Sequence, residues 1–85
     1  MTEDKKIKFY GNSWCPGSRR AKKILANRKI EFEWFNINED IAAREFVKQV
    51  NNGNRSVPTI VFPDGEILVE PSTSELEAKI SQLYS

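Results

Sequence analysis

Ile7-Lys8-Phe9-Tyr10-Gly11-Asn12-Ser13-Trp14-Cys15-Pro16 is the stretch that decides the fold. Its first four residues suit a short strand, and Gly11-Asn12-Ser13 ends it. Pro16 then stands where a helix tolerates proline, near the first turn. From there to about Lys29 the apolar residues Ala21, Ile24 and Leu25 fall on one helical face. A strand that passes within a few residues into a helix is the opening move of an α/β layer structure.

Working outward, residues 30–37 are rich in aromatic and β-branched side chains, with Phe32 and Trp34 on one side, and read as a second strand. Asn38-Glu39-Asp40 supplies acidic capping for a helix over 41–50, where Ala43, Phe46, Val47 and Val50 repeat at helical spacing. Asn51-Asn52-Gly53-Asn54 stops that helix. Residues 57–62 read as a strand interrupted early by Pro58, and Pro63-Asp64-Gly65 turns it into a hairpin partner at 66–69. A last helix over 72–84 points Leu76, Ile80, Leu83 and Tyr84 inward, with Ser72-Thr73-Ser74-Glu75 as a capping cluster. The order is β-α-β-α-β-β-α. Helices between the first three strands imply right-handed crossovers and parallel pairing, and the last two strands form an antiparallel hairpin.

The 85 residues fit one domain over 1–85, because neither half would hold enough apolar surface for its own core. Charged residues are 29% and the net charge is +1, which gives nucleic acid no electrostatic hold and suits a soluble monomer. No apolar run reaches the roughly 20 residues needed to span a bilayer. Met1-Thr2-Glu3-Asp4-Lys5-Lys6 lacks the apolar core of a signal peptide, so the expected compartment is the cytoplasm. One cysteine closes no internal disulfide, and with no histidine a protein-only metal site or a Cys–His hydrolase is disfavoured.

Cys15 carries the chemistry. At a strand-to-helix junction it faces the unpaired amides of the first helical turn and the positive end of the helix dipole. Arg19, Arg20 and Lys22 add positive charge nearby, and all of these favour thiolate over thiol. A lone cysteine is more often buried and inert. A position directly before Pro16 at the head of a helix argues for the reactive alternative.

Cys15-Pro16-Gly17-Ser18 resembles the Cys-Pro-X-Cys motif of the glutaredoxins, and Ser56-Val57-Pro58 resembles the Thr-Val-Pro loop of that family. The match is closest to the mycoredoxin branch, through Asn52-Gly53-Asn54-Arg55-Ser56-Val57-Pro58-Thr59 and Pro71-Ser72. The resemblance implies a thioredoxin-like fold, a four-stranded mixed sheet with helices on both faces. It also implies exchange between a small thiol, glutathione or mycothiol, and thiol-modified proteins, with no tightly bound cofactor. Pro58 would be cis, leaving the backbone of Val57 beside Cys15 to pair with an extended substrate. Ser72 and Thr73 would meet a carboxylate of the small thiol, and a plain helix cap explains them equally well. Arg55 is either a carboxylate partner or a solvated side chain. Trp14 either lines the site or packs over the sheet edge.

Ser18 departs from the family pattern by standing where a resolving cysteine would be. A hydroxyl can donate to a thiolate but cannot form a disulfide, which leaves a one-thiol route. Natural and engineered origins for this serine read alike. Asn12 occupies a place where many glutaredoxins carry lysine, and Gly17 leaves the site open. One-cysteine glutaredoxins that hold an iron–sulfur cluster form the alternative class, and here only the first and last letters of their Cys-Gly-Phe-Ser motif are shared.

Overall fold

The computed structural model describes residues 6–84, so the reading of the first five residues as leaderless lies outside the described part. Seven elements follow in order: β1 (Ile7–Gly11), α1 (Pro16–Asn27), β2 (Phe32–Asn36), α2 (Ile41–Val50), β3 (Thr59–Val61), β4 (Ile67–Val69) and α3 (Thr73–Tyr84). The strands form one sheet in the order β2-β1-β3-β4.

Strand alternation divides the core into two layers. Ile7 and Phe9 of β1 and Ile60 of β3 pack, with Phe62, against Ala21 and Leu25 of α1 and Leu76 and Ile80 of α3. Tyr10 projects to the opposite face and meets Ile37, Ala43 and Val47 beneath α2. The sheet is therefore covered on both faces, as a thioredoxin-like fold requires. Aromatic pairs fasten β2 to β1 on each side: Phe9 with Phe32 and Trp34, and Tyr10 stacked on Phe35 at 4.8 Å.

β2 runs parallel to β1, but β3 runs antiparallel to it, with Phe9 opposite Ile60 and Tyr10 opposite Thr59. Parallel pairing of the first three strands is thus corrected at β3. The physical reason is the position of Pro58 beside Cys15. α2 leaves from the sheet end where β1 and β2 finish, and residues 51–58 bring the chain back to that same end. A parallel β3 would start at the opposite end and leave Cys15 without the Val57–Pro58 loop. The hairpin to β4 is antiparallel as expected.

Helix ends follow local chemistry. α1 stops at Asn27, two residues earlier than the apolar spacing suggests. Lys29 takes a left-handed φ of 59°, and Lys29 N–H and Ile30 N–H close onto the carbonyls of Ala26 and Leu25, the Schellman arrangement. The Asp40 carboxylate caps α2 by accepting from Ala43 N–H at 3.0 Å. Ser72 and Glu75 exchange hydrogen bonds as a capping box for α3. Tyr84 is 44% exposed rather than inward, because α3 ends there and the sheet offers it no cover.

The β3–β4 turn is tied to α3 by a buried ammonium. Lys79 is 5% exposed and bonds Asp64 at 2.6 Å and Glu66 at 2.5 Å. The hydrogen bond to Lys79 is the main cause holding the Asp64 carboxyl below its ordinary range, and the bond to Asp64 raises Lys79.

Candidate active site

Cys15 is the N-cap residue of α1, with extended backbone, and its carbonyl accepts the first helical bond from Arg19 N–H at 3.0 Å. The loop that delivers it is built on Asn12. The Asn12 side-chain oxygen accepts from Trp14 N–H at 2.8 Å, and its carbonyl accepts from Cys15 N–H at 3.1 Å. Where the sequence suggested only a missing lysine, Asn12 is the post around which the active-site turn is wound.

The Cys15 sulfur does not cap the helix amides. It lies 3.9 Å from the Val57 carbonyl, a long thiol donor contact across the site. The Val57–Pro58 bond is cis, as the resemblance implies. Thr59, fully buried, fixes this loop from behind: its hydroxyl donates to the Ser56 carbonyl at 2.8 Å and accepts from the Asn51 side chain at 3.3 Å. Asn51 also reaches back to the Val47 carbonyl at the end of α2. This relay from α2 to the loop has no signature in the sequence beyond a helix-stopping asparagine.

A cavity of about 180 Å³ opens at the sulfur, lined by Cys15, Gly17, Arg20, Val57, Pro58, Glu70 and Pro71. A larger groove of about 430 Å³ runs between β4 and α3. It is lined by no cysteine, so thiol chemistry belongs to the smaller cavity. Gly17 keeps the cavity mouth clear: a Cβ there would stand 3.3 Å from Pro58 Cδ and 3.7 Å from the Cys15 sulfur.

The residues singled out from sequence divide sharply. Cys15, Val57 and Pro58 converge on the cavity. Pro16 starts α1 at its first position and is exposed. Trp14 is 84% exposed, packed neither over the site nor over the sheet edge. Arg55 is a solvated side chain, and Ser56 contributes its carbonyl to the Thr59 hydroxyl. The Ser72 hydroxyl is engaged in the α3 cap, and Thr73 is exposed at the first position of that helix. Ser18 is fully buried, and its oxygen accepts from Asn12 N–H at 3.3 Å. It sits on the same helical stripe as Ala21 and Leu25, which turns it inward. Arg20, read from the sequence as positive charge near Cys15, lines the cavity together with Pro71 and with Glu70, which the sequence did not single out.

The glutaredoxin family model matches residues 7–68. A protein of Mycobacterium tuberculosis (strain H37Rv) named as a glutaredoxin is 40% identical over 77 residues, covering 91% of this chain and 92% of its own length. Mycoredoxin 1 of Corynebacterium glutamicum is 38% identical over 77 residues, covering 91% of this chain and 95% of its own. Among solved structures, the thioredoxin-like protein BC3987, as a single-residue mutant, superposes with a TM-score of 0.78 at 28% identity, over 92% of this chain and 97% of that one. A glutaredoxin from Archaeoglobus fulgidus shares the fold, with a TM-score of 0.68 over 94% of this chain and 87% of that one, at 23% identity. The chain belongs to the glutaredoxin family of thiol–disulfide oxidoreductases, and it enters that family with a single cysteine.

Proposed function

We propose that this protein reduces mixed disulfides between proteins and a low-molecular-weight thiol, glutathione or mycothiol, by a one-thiol cycle at Cys15. The observation that carries this reading is the partly exposed Cys15 sulfur opening onto its own cavity, with the position three residues on filled by a buried hydroxyl. The Cys15 thiolate attacks the small-thiol sulfur of the mixed disulfide. That S–S bond breaks, the protein thiolate leaves and takes a proton, and the small thiol is now disulfide-bonded to Cys15. A second small thiol, as thiolate, attacks the small-thiol sulfur of this adduct. It releases Cys15 and departs as the symmetrical small disulfide. The net change is one exchange: the protein sulfur is released as a thiol, and one free small thiol is consumed into the symmetrical small disulfide.

The backbone of Val57 supports the first step. It lies across from the sulfur at the head of β3, and an extended substrate laid along it would pair as an added strand.

Intact mass after incubation with glutathione disulfide, and separately with mycothiol disulfide, tests the reading. One adduct at Cys15 is expected, stable until free small thiol is added. Turnover of a protein mixed disulfide should rise with small-thiol concentration. Efficient reduction of an ordinary protein disulfide with no small thiol present would overturn the one-thiol cycle.

A further inference from the structure

We propose that Glu70 is a specificity-determining residue: its carboxylate takes a hydrogen-bond donor of the small thiol, an ammonium or a hydroxyl, while that thiol is joined to Cys15, and it disfavours a carboxylate in the same place. This inference rests on the one-thiol exchange at Cys15 proposed above.

Register puts Glu70 there. Thr59 pairs with Val69, and one step further Glu70 N–H donates to the Pro58 carbonyl at 2.8 Å. Glu70 is thereby anchored across from the residue that follows Val57, on the wall of the Cys15 cavity. Among the described residues that line the wall, Glu70 is the one acidic residue and Arg20 the one cationic residue. Among the described residues neither forms an ion pair, with each other or with a third group. An unpaired acceptor and an unpaired donor set thus frame the space that a small thiol on Cys15 would fill.

The backbone supplies an independent reason to look here. Among the described residues, three other than glycine have positive φ: Lys29, Asn52 and Glu70. Lys29 and Asn52 each close a helix C-terminus, where a left-handed residue ties off the last carbonyls. Glu70 closes no helix. At φ 49° it is left-handed and directly precedes Pro71, a place that favours extended backbone. Glutamate lacks the short polar side chain with which asparagine or aspartate relieves such a conformation. The fold alone gives no reason for glutamate at this point, whereas a role for its side chain at the cavity that Glu70 lines does. Strain of this kind concentrates at functional sites.

The test equilibrates the full chain with three symmetrical disulfides of similar arm length: cystamine (cationic), bis(2-hydroxyethyl) disulfide (neutral) and 3,3′-dithiodipropionate (anionic), each with its thiol. In every case Cys15 thiolate attacks one sulfur, the S–S bond breaks, and one arm leaves as thiolate and takes a proton. Intact mass reads the adduct fraction. Glu70→Gln, which keeps size and backbone, should shift the cation-to-anion adduct ratio toward the anion on the order of fivefold, from the loss of one nearby charge in partly solvated surroundings. Arg20→Gln should shift it the opposite way, and Glu70→Asn, well suited to left-handed φ, should repeat the Glu70→Gln shift. A parallel fall in the hydroxyethyl adduct assigns a hydroxyl donor, and a fall confined to the cation assigns an ammonium. A Glu70→Gln ratio unchanged from the native chain, with all three adducts forming, overturns the inference and leaves the one-thiol exchange standing. Failure of the native chain to form even the neutral adduct overturns both.

Discussion

Gly11→Ala should be among the most damaging single-methyl additions in this protein. Gly11 is the buried last residue of β1, where the strand passes under the first turn of α1. A Cβ there would stand 2.7 Å from Ser18 Oγ, 2.9 Å from Trp34 Cζ3 and 3.1 Å from Phe9 Cε1. Ordinary carbon contacts lie near 3.5–4.0 Å, so three neighbours from α1, β2 and β1 must all give way. Overpacking of a dense core costs about 1–3 kcal/mol. Ser18 is the nearest neighbour and holds Asn12 N–H, so moving it also forfeits a hydrogen bond of about 1 kcal/mol. A loss of about 2–4 kcal/mol follows, a large share of the total for a chain this short. At about 4–8 °C per kcal/mol, the melting temperature should fall by about 8–32 °C. Urea unfolding followed by tryptophan fluorescence measures it as a lowered midpoint with unchanged slope. Ser18→Ala deletes the atom in closest conflict, so the double variant should recover about 1 kcal/mol relative to additivity. A Gly11→Ala loss under 0.5 kcal/mol, or strict additivity with Ser18→Ala, would refute this account of how the active-site helix rests on β1.

Ser18→Cys should create an internal disulfide with Cys15, abolish accumulation of the small-thiol adduct, and confer reduction of protein disulfides without small thiol; mass spectrometry and an insulin-type turbidity assay read both. Asp64, with its carboxyl depressed chiefly by the Lys79 hydrogen bond, lends stability that is present above about pH 4 and is lost as pH falls through its lowered value. Asp64→Asn should flatten that part of the acid limb in a stability-against-pH series. Lys79, raised chiefly by its bond to Asp64, contributes stability that is present below about pH 10.4 and is lost as pH rises through its raised value. Lys29→Gly should stabilise by about 0.5–1 kcal/mol in urea, because the left-handed φ of 59° at the end of α1 strains any side chain.

Most of the fold could be read from local patterns because its elements bury one face each. The apolar run at residues 7–10 marked β1 as a strand, and helical spacing marked Leu25, Val47 and Leu76, all of which lie in the core. The direction of β3 was not legible in the same way. Strand polarity depends on where a connection ends, and the apolar spacing of α2 is the same whichever end of the sheet the chain regains. The exit of α1 was misread for a related reason: a Schellman closure normally advertises itself with glycine, and here lysine occupies the left-handed place.

The site divides along the same physical line. Cys15 and Pro58 were legible because each lies in a short motif whose chemistry is local. Arg20 was legible only as one of three charges near Cys15, and Glu70 was not legible at all, because it reaches the cavity by its pairing opposite Pro58. Ser18 shows how a motif can mislead. Read along the chain, a hydroxyl three residues after a thiol belongs beside it. Read on the helix, residue 18 shares a stripe with Ala21 and Leu25, and burial of that stripe engages the hydroxyl oxygen with Asn12 N–H. The same geometry explains why a serine is tolerated there. The Asn12 amide satisfies the oxygen, so no buried polar atom is left unpaired. Ser18 therefore acts on Cys15 by holding the turn that presents it, and the charge that meets an incoming thiol comes from Arg20 and Glu70 on the cavity wall.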